Sequence, residues 1–99
     1  MAYRLEFHPE AEAEFDEAIT WYQEKRDGLE QEFFDDFLVL ESRLEENPSQ
    51  FPAVLDNKIR RANFHRFPYS IFFEIEQGSI FIYAVFHQSR NPDDWNKRM

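Results

Sequence analysis

The stretch from Ile59 to Arg90, IRRANFHRFPYSIFFEIEQGSIFIYAVFHQSR, alternates apolar and polar side chains with period two across two turn signals. That rhythm belongs to strands rather than to a helix. It predicts a three-stranded meander. Gln77-Gly78 separates two alternating runs, and Gly at the second loop position supplies the positive φ that a two-residue hairpin needs. Glu76 is then expected opposite Ser79, Ile75 beside Ile80, Phe73 beside Ile82, Ile71 beside Ala84 and Tyr69 beside Phe86. An earlier turn at Arg66-Phe67, helped by the extended bias that Pro68 places on Phe67, brings Phe64 to Tyr69 and Ala62 to Ile71.

Successive side chains of a strand point to opposite faces. One face is expected to collect Ala62, Phe64, Tyr69, Ile71, Phe73, Ile75, Ile80, Ile82, Ala84 and Phe86, which is a core face. The other carries Arg61, Asn63, His65, Ser70, Phe72, Glu74, Phe81, Tyr83, Val85 and His87. Aromatics and a valine among histidines and an arginine make neither a core nor a plain solvent surface, so a covering partner is expected there. His65 and His87 fall toward the same end of the sheet, beside Arg66 and Arg90; the plainest reading of the two histidines is of polar residues at strand ends.

Upstream, Tyr3 to Phe7 alternates and reads as a short first strand, stopped by His8-Pro9. Pro9 suits a first helical turn, and the periodicity predicts one helix from Pro9 to Lys25, broken by Gly28. A second runs from Leu29 to Glu46, with Phe33, Phe37, Leu40 and Leu44 spaced by four, three and four, flanked by Phe34 and Leu38, and ended by Asn47-Pro48. The two form an antiparallel hairpin whose apolar stripe covers the core face of the sheet. Glu10, Glu12, Glu14, Asp16 and Glu17 read as a solvated helix face, because no His or Asp stands at ligand spacing. Residues 48–57 read as a loop with Phe51 and Val54 tucked against the helices. Asn91-Pro92-Asp93-Asp94 reads as a helix start that carries Trp95 back to the domain, and Lys97-Arg98-Met99 as a mobile tail.

Ninety-nine residues suffice for one domain, 1–99. With no Cys, thiolate chemistry, disulfides and cysteine zinc sites are excluded. No basic-then-apolar leader and no run of membrane-spanning length is present, which points to a soluble cytoplasmic protein. The net charge of −9 is unevenly placed: residues 1–57 carry −12 and residues 58–99 carry +3. An acidic half argues against broad nucleic-acid binding, which depends on neutralising phosphates with Lys and Arg, and no sequence-specific DNA-binding helix is expected. Phosphate loops, nucleophile elbows and paired-histidine metal motifs are missing, so no cofactor and no metal are predicted.

The order strand, two helices, three-stranded meander, with Arg66-Phe67-Pro68-Tyr69-Ser70-Ile71-Phe72-Phe73 and Val85-Phe86-His87-Gln88-Ser89-Arg90-Asn91-Pro92, resembles the RelE/ParE toxin superfamily, closest to its ParE, or plasmid-stabilisation, branch. The resemblance implies an α+β fold in which a two-helix hairpin packs on one face of a four-stranded, largely antiparallel sheet (β-α-α-β-β-β), the first strand beside the last. It implies the toxin of a type II toxin–antitoxin pair, wrapped by a cognate antitoxin and inhibiting DNA gyrase by binding rather than by catalysis. The alternatives it leaves are ribosome-dependent mRNA cleavage, as in the RelE branch, or an inactive or retargeted homologue.

Metal-free RNA cleavage needs a base for the 2′-hydroxyl, an acid for the leaving oxygen and a cation for the phosphorane. His87, His65, Arg90 and Arg66 are the candidates for that chemistry. Arg61, Phe72, Phe81, Tyr83, Arg90 and Trp95 are the candidates for contact with a partner.

Overall fold

The computed structural model describes residues 3–91, Asp94 and Arg98. The chain begins with β1 (Arg4–Phe7), followed by α1 (Pro9–Lys25) and α2 (Leu29–Glu46). His8 starts α1 by accepting the Glu10 N–H on Nδ1 at 3.1 Å, with Pro9 in the first turn where its missing N–H is harmless. Gly28, at φ +87°, turns the chain into α2, and Glu30 Oε1 reaches back to accept the Gly28 N–H at 3.0 Å. Both helices have the bounds expected of the sequence.

A 3₁₀ turn (Pro48–Gln50) leads to β2 (Ala53–Leu55), β3 (Ile59–Asn63), β4 (Tyr69–Glu76) and β5 (Ser79–His87). The sheet order is β1-β5-β4-β3-β2, with β1 parallel to β5 and the other pairs antiparallel. The sheet therefore has five strands where four were expected. The extra strand comes from the supposed loop: Asp56 and Asn57 adopt φ +52° and +55° and fold Ala53–Leu55 back on β3. Phe51 is buried edge-on against Phe73, but Val54 faces solvent rather than the helices.

The hairpin at Gln77-Gly78 forms with both residues at positive φ, and Phe64 donates its N–H to the Tyr69 carbonyl at 2.9 Å, as the two turn signals require. The β4–β5 register matches the expected one from Glu76↔Ser79 to Phe73↔Ile82 and then slips. Phe72 pairs with Ala84, Ile71 with Val85 and Tyr69 with His87. One extra residue at Tyr83 bulges β5, and every later side chain on that strand changes face. Val85 joins the core under the helices, with Phe33, Phe37, Leu40, Ile71, Phe73 and Ile82. Ala84 and Phe86, expected in that core, instead form a second buried cluster with Ile59 and Phe72 on the opposite face.

Candidate functional site: two depressions sharing His87 and Arg90

The bulge decides what stands at the end of the sheet. A depression of about 200 Å³ opens on the face away from the helices, lined by Arg61 and Asn63 of β3, Ser70 and Phe72 of β4, Phe86 and His87 of β5, and Gln88 and Arg90 beyond it. A second, of about 250 Å³, lies on the helix side between Glu14, Glu17, Ala18 and Trp21 of α1 and Tyr69, Val85, His87 and Arg90. His87 and Arg90 form the ridge between them.

His87 stands edge-on to Tyr69, with ring centroids 5.2 Å apart. Its Nδ1 accepts the Ser89 N–H at 3.1 Å and lies 2.8 Å from Ser89 Oγ. A nitrogen that accepts a backbone N–H carries no proton, so this contact selects the tautomer with its hydrogen on Nε2. Arg90 is held from three sides: Nη1 bonds Glu14 Oε2 at 2.9 Å, Nε approaches Asp94 at 3.5 Å, and the guanidinium lies 4.0 Å over the Phe86 ring. Ser70 Oγ donates to Asn63 Oδ1 at 2.6 Å on the depression floor.

The four residues named for cleavage chemistry thus divide. His87 and Arg90 come together at the depression, where Arg61 joins them, exposed and in no ion pair among the described residues. His65 and Arg66 sit in the β3–β4 turn, outside it. Arg66 bonds Glu32 at 2.9 Å through Nη2 and gives its backbone N–H to Asp36. Hydrogen bonds from Arg26 and Arg66 hold the Glu32 carboxyl below its usual range.

Of the residues named for a partner, Arg61, Phe72 and Arg90 line the same depression, with Phe72 as floor, only 4% exposed. Phe81 and Tyr83 stack edge-to-face at 4.8 Å nearer the β1 side of that face. Tyr83 donates to Glu74 Oε1 at 2.9 Å, and burial together with that bond pushes its hydroxyl up to about 12. Trp95 lies outside the described residues.

The residue that organises this end of the molecule was placed on a solvated helix face by its composition. Glu14 is only 10% exposed. It accepts from the Val85 N–H, from Arg90, and from both terminal nitrogens of Arg98 at 2.9 and 2.7 Å. Arg98, expected in a mobile tail, is 8% exposed, also meets Glu10 at 2.7 Å and donates to the Tyr83 carbonyl at 2.9 Å. Its guanidinium is pushed above its usual value, chiefly by the bond to Glu14. A signal for Glu14 existed: it stands three residues after Ala11 and four before Ala18, both buried, on the sheet-facing side of α1.

Among the described residues no helix is long and apolar enough to cross a membrane, and no group of three or more His, Asp or Glu is placed to hold a metal ion. No curated protein matches the chain. A solved structure, the chromosomal ParDE TA system from P. aeruginosa, contains a chain similar to this one, with a TM-score of 0.70 at 19% identity, covering 87% of this chain and 96% of that one. At that identity the likeness speaks for the fold alone. The family model for the ParE toxin of type II toxin-antitoxin system, parDE, matches residues 5–92. With a match over nearly the whole chain and the β1-β5-β4-β3-β2 sheet under its helical hairpin, the protein belongs to the ParE toxin family.

Proposed function

We propose that the chain acts in the cytoplasm, as one toxin domain over residues 1–99, by binding and inhibiting DNA gyrase, and that a cognate antitoxin holds it inactive. Membership of the ParE family supports the toxin role. The observation that favours binding over cleavage is how the basic residues are used. Arg90 is paired with Glu14 and Arg66 with Glu32, so two of the cations that would stabilise a phosphorane are already neutralised by helix carboxylates. His65 lies outside the depression that His87 lines. A binder needs only the surface.

The test is a DNA supercoiling assay with gyrase from a susceptible host. Inhibition is expected, and it should persist in a His87→Ala protein. Normal supercoiling at large molar excess of the folded chain would reject the gyrase reading.

Ribosome-dependent mRNA cleavage is the second reading, favoured by one arrangement: His87, its Nδ1 occupied by the Ser89 N–H, lines a depression together with Arg61. In a translating extract that reading requires cut message with the natural protein and intact message with His87→Ala. Intact message with both removes it.

A further inference from the structure

Along α1, Glu14, Glu17, Ala18 and Trp21 stand at the i, i+3, i+4 and i+7 positions of one face. They form the helix wall of the second depression, across from Tyr69 and His87. Ala18 is buried, but 54% of Trp21 is exposed. The Lys25 ammonium lies 3.9 Å from the centroid of its ring, so an indole in this position already draws a cation. Tyr69 is fixed by edge-on contacts with Tyr22, Phe33 and His87. Its half-buried hydroxyl nevertheless makes no hydrogen bond among the described residues. Burial, and then the nearby Tyr22 and Glu17, raise that hydroxyl above its usual range.

One charge in this lining is unanswered. Glu14 is matched by Arg90 and Arg98, and Arg90 by Glu14 and Asp94. Glu17 also lines the depression, and it is in no ion pair among the described residues. An anion would be repelled by it, and a neutral apolar ligand would cover the indole while desolvating the carboxylate without a counter-charge. A hard metal ion wants several oxygen ligands, and a single free carboxylate does not supply them. An organic cation meets both demands. A guanidinium is planar and weakly hydrated, stacks on aromatic faces, and donates several N–H groups in its own plane. We propose that the depression between α1 and the end of the sheet binds an alkylguanidinium, its plane on Trp21 and its N–H groups donated to the Glu17 carboxylate and the Tyr69 hydroxyl. A free small cation and an arginine side chain present the same group. The site goes beyond the gyrase and antitoxin readings and depends on neither.

The probe is butylguanidinium, with neutral butylurea as its shape-matched control, titrated into the full chain and followed by two-dimensional proton–nitrogen NMR. The Trp21 indole N–H and the Ala18 and Val85 amides should shift together and saturate. Butylurea should bind about tenfold or more weakly, because it brings no charge to Glu17. Glu17→Gln, which keeps the shape of the side chain, should weaken butylguanidinium about tenfold, and Trp21→Leu and Tyr69→Phe about threefold each. The spectrum of each variant checks its fold. A capped glycyl-arginyl-glycine peptide, titrated in parallel, separates the two sources. Tighter binding than butylguanidinium assigns the site to an arginine within a chain; equal or weaker binding assigns it to a free cation. No saturable shift, equal binding of butylurea, or unchanged affinity in Glu17→Gln overturns the site. Shifts of equal size around Asp35, on the exposed side of α2, would overturn it too, because they mark adsorption to an acidic surface.

Discussion

The carboxylate of Glu14 on α1 accepts the backbone N–H of Val85 on β5 at 3.1 Å. The contact follows from where two strands end. β1 pairs with β5 only as far as Phe7↔Ile82, and the bulge at Tyr83 then carries β5 onward with no strand beside it on that edge among the described residues. A buried N–H without a partner is costly, and Glu14 supplies the partner. The charge so brought in is balanced by Arg90 and Arg98, so the sheet edge, the helix and Arg98 meet at one side chain.

Glu14→Ala is therefore expected to destabilise the protein by about 3 kcal/mol, since it strands one amide and takes from the mostly buried Arg98 guanidinium its buried counter-charge, leaving only the exposed Glu10. Urea unfolding measures the loss. In a double-mutant cycle, Glu14→Gln and Arg98→Met should be non-additive by about 1 kcal/mol or more. Additive effects would mean that the pair does not act as a unit.

Asp36 performs a similar service for the turn between β3 and β4. Its side chain is buried in α2 and accepts the N–H groups of Arg66 at 2.8 Å and Phe67 at 3.1 Å. Asp36→Ala should cost about 2 kcal/mol and speed hydrogen exchange at the Arg66 and Phe67 amides; Asp36→Asn, which keeps an acceptor oxygen, should cost about half as much. Unchanged exchange at both amides in the alanine variant would contradict this role.

What could be read in the chain, and what could not, divides along physical lines. Pro9 and Pro48 fix φ and lack a donor, Gly28 admits the left-handed φ that ends a helix, and such punctuation marks both helix ranges. Gln77-Gly78 marks its turn as Gly28 does, through a glycine that admits positive φ. The bulge has no comparable mark, because Tyr83 and Ala84 are residues any regular strand accepts. It becomes visible only as a mismatch of nine residues in β5 against eight in β4 once the strand ends are known. That single residue moved Phe86 and Ala84 off the core face and turned His87 toward Tyr69. The β2 turn was marked, by Asp56-Asn57, two residue types that tolerate left-handed φ, but no Gly drew attention to it. Glu14 was hidden among acids by composition and marked only by helical phase.

Tyr83 gives the molecule an alkaline signature. Burial first, and then its hydrogen bond to Glu74, raise the hydroxyl from 10.0 to about 12. Between those values the unfolded chain has lost a proton that the folded chain keeps, so this contribution to stability is complete below the lower value and disappears as pH rises through the upper one. In an ultraviolet titration of tyrosinate, one tyrosine should ionise near that upper value, and its step should vanish in Tyr83→Phe. Glu74→Gln should move the step down, since it removes the negative charge beside the hydroxyl. A step that stays in place would show that burial alone sets it.

The hairpin between β4 and β5 is the place to gain stability without touching either depression. Gln77 sits at φ +34° and Gly78 at +82°, and both are exposed. A long side chain is strained in that region, whereas Asn tolerates it, and Asn-Gly is the preferred pair for a two-residue hairpin loop. Gln77→Asn should therefore stabilise the fold by about 0.5 kcal/mol, a rise of a few degrees, roughly 2–4 °C, in Tm for a domain of this size. Gly78→Ala should do the opposite. Nothing lies within 4 Å of the added methyl group, so its penalty, about 1 kcal/mol, comes from the backbone alone. Thermal melts of the two variants check both signs. A Gly78→Ala protein as stable as the natural one would mean that the turn relaxes to a different geometry, and the register it sets from Glu76↔Ser79 onward would then have to be fixed elsewhere in the sheet.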